Sequence, residues 1–414
     1  MSEPIVIVGA NAAGLATARH LRVIGNDQSI ILVDKDREWP YDRPPLSKAV
    51  LKSAALRDAP DRLITSDECA ALDLELELGR SVSNLDPVAR TIGFSDAKRL
   101  AFDKLVLATG AQPKKLSCPG GKLEGVHTLR TLSDARQIAD ALCPDRRLVV
   151  VGGGVIGCEV AASATEAGCH VTILETASHL CSRLFPVSIA EQIADRHRQN
   201  GVSLVFGAQP SAFIGTDSIE GVQLSDGRFI PADLAVVGVG VTPNIQLAVI
   251  AGLAVRNGVV TDAHAQTSHP DIYAVGDVAN SYNEFFGAHA RLETIQNAIH
   301  TGHCAASAIT GHDIPDPVVP WGWSDQFNDN IQYLGAWQDA DSIVTRTQGP
   351  SEIIQLALRG NRIRGAIAIN RGKDIAITRR LIASGAPVSI EDLEDTSIGM
   401  NAFIKRKAQA QATA

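Results

Sequence analysis

The chain has 414 residues, enough for two to four domains with cores of their own. A hydrophobic content of 45% and a charged content of 20% exclude an intrinsically disordered protein, and the net charge of −8 argues against general nucleic-acid binding. Seven cysteines without a C-x-x-C pair point away from a disulfide framework or a zinc site and towards a reduced, cytoplasmic protein; no metal is expected. The first residues lack a basic n-region and enter a strand at once, so no signal peptide is expected. The most apolar stretch, 234–255, is interrupted by Thr242, Pro243, Asn244 and Gln246, so no membrane span is expected.

The first element is a short apolar strand, Ile5 to Val8, running into Gly9-Ala10-Asn11-Ala12-Ala13-Gly14 and an Ala-rich helix. This nearly spells G-x-G-x-x-G, with Asn11 at the place of the second glycine. Asn tolerates left-handed backbone better than most residues, and its amide can donate a hydrogen bond. Asp34 closes the next strand 20 residues after Gly14, where such units place an acid for an adenosine ribose. Read alone, the turn is either a nucleotide site with a substitution or an ordinary strand-to-helix turn.

Next comes "RSVSNLDPVARTIGFSDAKRLAFDKLVLATGAQP", a small β-meander and an apolar strand ending at Ala108-Thr109-Gly110. A second strand–turn–helix follows in "RRLVVVGGGVIGCEVAASATEAGCHVTILE". Gly152, Gly154 and Gly157 fill all three fingerprint positions, and the helix N-terminus offers N–H groups to a pyrophosphate, Val155 and Ile156 among them. Glu175 ends the next strand, 18 residues after Gly157. Its carboxylate suits a ribose 2′-OH and repels a 2′-phosphate, which favours NADH; nearby His179 and Arg183 leave room for some NADPH use. A second meander and the strand ending in Gly238-Val239-Gly240 repeat the plan of the first half.

The expected architecture is therefore α/β: two doubly wound dinucleotide-binding domains, followed by a C-terminal α+β domain of alternating strands and a helix at 373–384. The expected boundaries are 1–112 with 242–320 for the first domain, 113–241 for the second and 321–414 for the third. The tail "KRKAQAQATA" is expected to be disordered. Trp321 and Trp323 are expected to divide between core and site.

Four further stretches carry a resemblance: "WPYDRPPLSK" (39–48), the turn at 108–110, "HPDIYAVGDVAN" (269–280) and "WGWSDQ" (321–326). With both fingerprints, the chain resembles the FAD-dependent ferredoxin reductases of glutathione-reductase-like fold. These NADH-oxidising flavoproteins feed [2Fe–2S] ferredoxins for aromatic-ring dioxygenases and bacterial cytochromes P450. Reductase components of biphenyl-type dioxygenases are most alike, with putidaredoxin and rubredoxin reductases as wider relatives.

The resemblance implies bound FAD and NADH as cosubstrate. It implies that Gly9, Asn11, Ala13 and Gly14 hold the FAD pyrophosphate and that Asp34 or Lys35 lies near the ribose. Arg43 lies by the phosphates, Lys48 by the isoalloxazine and Arg80 by the adenine. Ala108, Thr109, Gly110, Arg130, Gly276 and Asp277 contact FAD, as do Ile295, where relatives often carry Trp, and Trp323. Asp277 could instead cap a helix. Lys48 and Glu159 are the expected catalytic pair, Lys48 tuning the flavin and Glu159 reaching the nicotinamide. A first-turn carboxylate favoured by the helix dipole is the plainer account of Glu159. Val239, Gly240 and Glu293 are also expected near NADH.

The segment Pro40–Pro45 lacks the cysteine of related disulfide reductases and peroxidases, so electrons are expected to leave directly for a one-electron protein acceptor. Seven basic residues against one acid between Arg359 and Arg380 suggest a docking face for an acidic ferredoxin, or simply a solvated surface. Rubredoxin or another acceptor, and an NADH-sensing flavoprotein resembling apoptosis-inducing factor, are alternatives. A monomer or homodimer is expected.

Overall fold

The computed structural model describes residues 3–337, 340–349 and 351–404. The expected disordered tail lies outside these residues. Two five-stranded parallel sheets repeat one design. The first runs Ile272–Ala274, Lys104–Leu107, Ile5–Val8, Ile30–Asp34, Leu74–Leu78; the second runs Ser203–Phe206, His170–Glu175, Arg147–Val151, Leu234–Val237, Val126–Thr128. Their central strands are buried on both faces, which is why they read as continuous apolar runs rather than alternating ones. Ile5 and Ile7 pack against the helices Ala12–Val23 and Ile295–Thr310, while Val6 and Val8 pack against the meander that carries Leu85, Ile92 and Phe94. Leu148 and Val150 divide from Val149 and Val151 in the same way, the latter meeting the meander with Phe213 and Val222.

Two strands, Ala111–Pro113 and Val241–Pro243, pair antiparallel where the chain passes between the two sheets. The C-terminal body is a five-stranded antiparallel sheet in the order Trp321–Gln326, Asp329–Gly335, Arg362–Ile369, Ile353–Arg359, Ser342–Thr347. One face packs on the helix Gly372–Ala383, close to the expected 373–384; the other supplies Ile331, Ile353, Ile367 and Ile369 to the core of the second nucleotide body. Tyr41, Leu46 and Val50 of the first body join that same core. One apolar cluster thus locks three bodies around a shared interior. Among the described residues, no helix is long and apolar enough to cross a membrane.

Candidate functional site: two dinucleotide turns in one cavity

The two Gly turns are built alike. Gly9 and Gly152 have φ of 116° and 107°, and a Cβ there would stand 2.2 Å from the Ala108 carbonyl oxygen and 2.5 Å from that of Gly238. A Cβ on Gly14 or Gly157 would lie 1.9 or 2.0 Å from the carbonyl oxygen of Gly9 or Gly152. Only glycine lets each helix settle this closely on its turn. The strand-end acids are duplicated too: Ala10 N donates to Asp34 Oδ2 at 2.8 Å, and Gly153 N donates to Glu175 Oε2 at 2.7 Å. Each acid thereby braces its own turn.

Asn11 departs from this symmetry. Its Oδ1 accepts from Ala12 N at 2.9 Å and its Nδ2 donates to the Tyr41 carbonyl at 3.1 Å. The side chain caps the helix and ties the turn to the 39–48 loop. The second helix, beginning at Val155 after Gly154, has no side-chain cap, so its first amides face the cavity unclaimed.

Both turns open into one cavity of about 1850 Å³. A pocket for one drug-sized ligand spans roughly 300–1,000 Å³, so there is room for two extended cofactors. Gly9, Asn11, Ala13, Asp34, Lys35, Arg43, Lys48, Arg80, Ala108, Thr109, Gly110, Arg130, Gly276, Asp277, Ile295 and Trp323, expected near FAD, all line it. So do Gly152, Gly154, Val155, Ile156, Gly157, Glu159, Glu175, Arg183, Val239, Gly240 and Glu293, expected near NADH. Gly14 lies beneath the first turn, and His179 is turned to Ser178 instead of the cavity. Arg130 Nη2 donates to Asp277 Oδ2 at 2.8 Å, so these two form a pair, and Asp277 caps no helix by its side chain. Buried Arg43 Nε, Arg130 Nε, Arg291 Nε and Asp42 Oδ1 have no hydrogen-bond partner within the chain, and all four residues line the cavity. The three orphaned arginine donors, beside two tightly turned backbones, are what a pair of pyrophosphate-bearing ligands would satisfy, so the residues present fit FAD and NADH; Asp42 Oδ1 is an acceptor and is not among them.

Glu159 differs from its expected setting. It is the fifth residue of its helix, past the first turn, and 2% exposed. Its carboxylate is held across the three bodies: Ser47 donates to Oε2, Ser324 donates to Oε1 at 2.8 Å, and Lys48 Nζ lies 3.2 Å from Oε1. The helix dipole does not account for it. Trp321 and Trp323 also differ from expectation. Both line the cavity and their rings stack at 5.1 Å, because residues two apart on a strand share a face. Tyr333, which the sequence reading missed, joins them; burial pushes its hydroxyl up to about 12. Thr301, likewise missed, accepts from Gly276 N and fixes the V-G-D turn at 2.9 Å. Of the seven cysteines only Cys181 reaches the cavity, at the second turn.

Residues 3–302 match the pyridine nucleotide-disulphide oxidoreductase model and 321–404 the reductase C-terminal model. The chain belongs to the pyridine nucleotide-disulphide oxidoreductase family, among its ferredoxin–NAD(+) reductases. The ferredoxin–NAD(+) reductase component of the biphenyl dioxygenase system of Paraburkholderia xenovorans is 36% identical over 409 residues, 98% of this chain and all of that one. The rubredoxin–NAD(+) reductase of Pseudomonas putida is 36% identical, over 94% of this chain and 100% of its own. The reductase in a covalent putidaredoxin reductase–putidaredoxin complex superposes with a TM-score of 0.94 at 34% identity, covering 98% of each chain. This family is one of FAD-binding, NAD-linked oxidoreductases, and the mixed α/β fold with its C-terminal antiparallel sheet is the putidaredoxin-reductase-like fold.

Proposed function

We propose that this protein is an NADH:ferredoxin oxidoreductase of the EC 1.18.1 class, with FAD on the first turn and NADH on the second. The body formed by 1–112 and 242–320 would hold FAD and 113–241 would hold NADH, with the C-terminal sheet beginning at Trp321 packed against the second. The observation that carries this reading is the Lys48–Glu159 pair, at 3.2 Å, between two equivalent dinucleotide turns in one cavity. When bound, the flavin accepts a hydride from NADH and releases electrons singly.

The chain supplies the rest. Gly9, Ala13 and the Ala108–Gly110 turn bring backbone close to the FAD pyrophosphate, with Arg43 and Arg130 offering their unsatisfied nitrogens. Lys35, Arg80 and Asp34 frame the adenosine end, and Asp277 with Ile295 frames the other. Arg80 is itself fixed over the Phe94 ring at 3.6 Å. Lys48, on the cavity wall, would set a positive charge beside a bound flavin and favour its electron-rich form. Glu159, Val239, Gly240 and Glu293 orient the nicotinamide; Glu175 and Arg183 meet the adenosine ribose. Stacked Trp321 and Trp323 form part of the cavity wall.

The acceptor we propose is a [2Fe–2S] ferredoxin supplying an aromatic-ring dioxygenase or similar oxygenase. Segment 40–45 offers no thiol relay, so electrons would leave the flavin directly, which suits a one-electron protein acceptor. Within the basic 359–380 stretch, Arg371 is paired to Asp374 and Arg364 lies over Phe285 at 4.8 Å. Arg359, Lys373, Arg379 and Arg380 are exposed and free to steer an acidic partner. The test is steady-state NADH oxidation with a panel of ferredoxins and rubredoxin, with and without Arg379→Glu/Arg380→Glu. A rate that rises with ferredoxin, falls with salt and drops in the double variant supports the reading. A rubredoxin-only response would favour the acceptor named for the Pseudomonas relative.

A further inference from the structure

Ser324 and Gln326 lie on the strand face opposite the two tryptophans, fully buried, and have no part in the reaction as proposed above. They belong to a row of buried side chains that ends on Glu159. His197 Nε2 lies 3.1 Å from Gln326 Oε1; Gln326 Nε2 lies 3.0 Å from Ser324 Oγ; Ser324 Oγ lies 2.8 Å from Glu159 Oε1. The members come from the helix Val187–Gln199, the strand Trp321–Gln326 and the helix Val155–Glu166.

The direction of each bond follows from what each atom can do. A carboxylate only accepts, so the Ser324 hydroxyl gives its hydrogen to Glu159. Its oxygen then accepts from the Gln326 amide nitrogen. That leaves the Gln326 oxygen towards His197, which must donate from Nε2. His197 Nδ1 is buried without a partner, and in the neutral Nε2–H tautomer it carries no proton to be left unsatisfied. Burial draws the His197 pKa down to about 4, which keeps the ring in that neutral form. Three donors point the same way, and each bond polarises the next.

If the amide were reversed, Ser324 would donate to Gln326, and Glu159 Oε1 would keep only Lys48. We infer that Gln326, oriented by His197, is a positioning residue for the Lys48–Glu159 pair: it commits the Ser324 hydroxyl to Glu159 Oε1 and fixes the carboxylate from the side away from the cavity. The inference rests on the reading of the cavity as the FAD and NADH site.

The experiment compares the FAD-loaded wild type with Ser324→Ala, Gln326→Met and the double variant. Anaerobic stopped-flow mixing with NADH gives the limiting rate of flavin bleaching and the apparent Kd for NADH. Dye-equilibrated titration gives the flavin midpoint potential. Met preserves the volume of Gln, so packing is kept while the amide is lost. Each single variant should bleach about tenfold more slowly, the scale of one lost hydrogen bond to a charged group, with the Kd for NADH changed less than about twofold. The double variant should be no slower than Ser324→Ala, and all three should share one shifted potential, because both residues act through one bond to Glu159. A Gln326→Met variant with wild-type rate and potential, losses that multiply in the double variant, or release of FAD from either single variant would overturn the inference. A wild type that NADH does not bleach would overturn the reading of the site itself, which the comparison of variants distinguishes.

Discussion

Lys48 Nζ stands 3.2 Å from Glu159 Oε1, and the two residues come from different nucleotide-binding bodies. Lys48 follows the short turn Pro44–Ser47 of the first body, while Glu159 rides on the fingerprint helix of the second. The Glu159 side chain is 2% exposed and that of Lys48 17%, so the pair has little water to share its charge. Removing one partner of such a pair costs about 3–5 kcal/mol because the other charge is left buried.

Lys48→Met should therefore lower stability by about 3 kcal/mol or more and slow flavin bleaching by NADH by at least about tenfold. Glu159→Gln should cost less stability, since Ser47 and Ser324 can still bond an amide, and should slow bleaching comparably. Denaturant midpoints with stopped-flow rates check both. Wild-type rates in both variants would remove the pair from the proposed mechanism.

Asn11 spends both ends of its amide within the chain, on Ala12 N and on the Tyr41 carbonyl. Asn11→Gly should bind FAD as tightly as the wild type or tighter. It should lose a few tenths to about 1 kcal/mol of stability through the missing cap and loop tie. A fluorescence titration of the apoprotein with FAD decides this; a large loss of affinity would make the side chain itself a ligand.

Glu175 accepts from Gly153 N at 2.7 Å and from Ala177 N at 2.8 Å, so it braces the turn, and in the proposed reading its charge also faces the NADH ribose. Glu175→Ala should reduce the ratio of kcat/KM for NADH over NADPH by about tenfold or more, with Arg183 left on the cavity wall as the counter-charge. An unchanged ratio would refute this role.

His197 predicts an acid limb. In the unfolded chain its ring protonates near 6.5; in the folded chain burial delays this to about 4. Between these values the unfolded state binds more protons, so His197 stabilises the fold fully above about pH 6.5 and loses that contribution as pH falls towards about 4. The full contribution is about 3 kcal/mol. His197→Gln keeps a donor for Gln326 without titrating, so its denaturant midpoint should fall less steeply over this range. Parallel curves for the two proteins would contradict the assignment.

Both nucleotide bodies were legible because their strands are buried on both faces and their turns need glycine at fixed spacing. The glycine turns and the strand-end acids of the cavity were legible for the same reason, whereas Arg80, Arg130, Ile295 and Trp323 entered only through the resemblance. The contacts between bodies were not. Ser47 and Ser324 reach Glu159 from 112 and 165 residues away, and nothing in local periodicity marks a serine for that. Asp277 and Arg130 were each placed in the site but not with one another, for they are 147 residues apart. The two tryptophans could have been placed from strand geometry alone, because positions two apart share a face.

The most direct test of electron flow from NADH through FAD to ferredoxin is a two-step anaerobic spectrum of the purified holoenzyme. NADH is added first, then an oxidised [2Fe–2S] ferredoxin. The account predicts loss of the flavin absorbance with NADH and its return as the ferredoxin is reduced. A flavin band that NADH leaves untouched, or one that stays bleached with every [2Fe–2S] ferredoxin supplied, would contradict it.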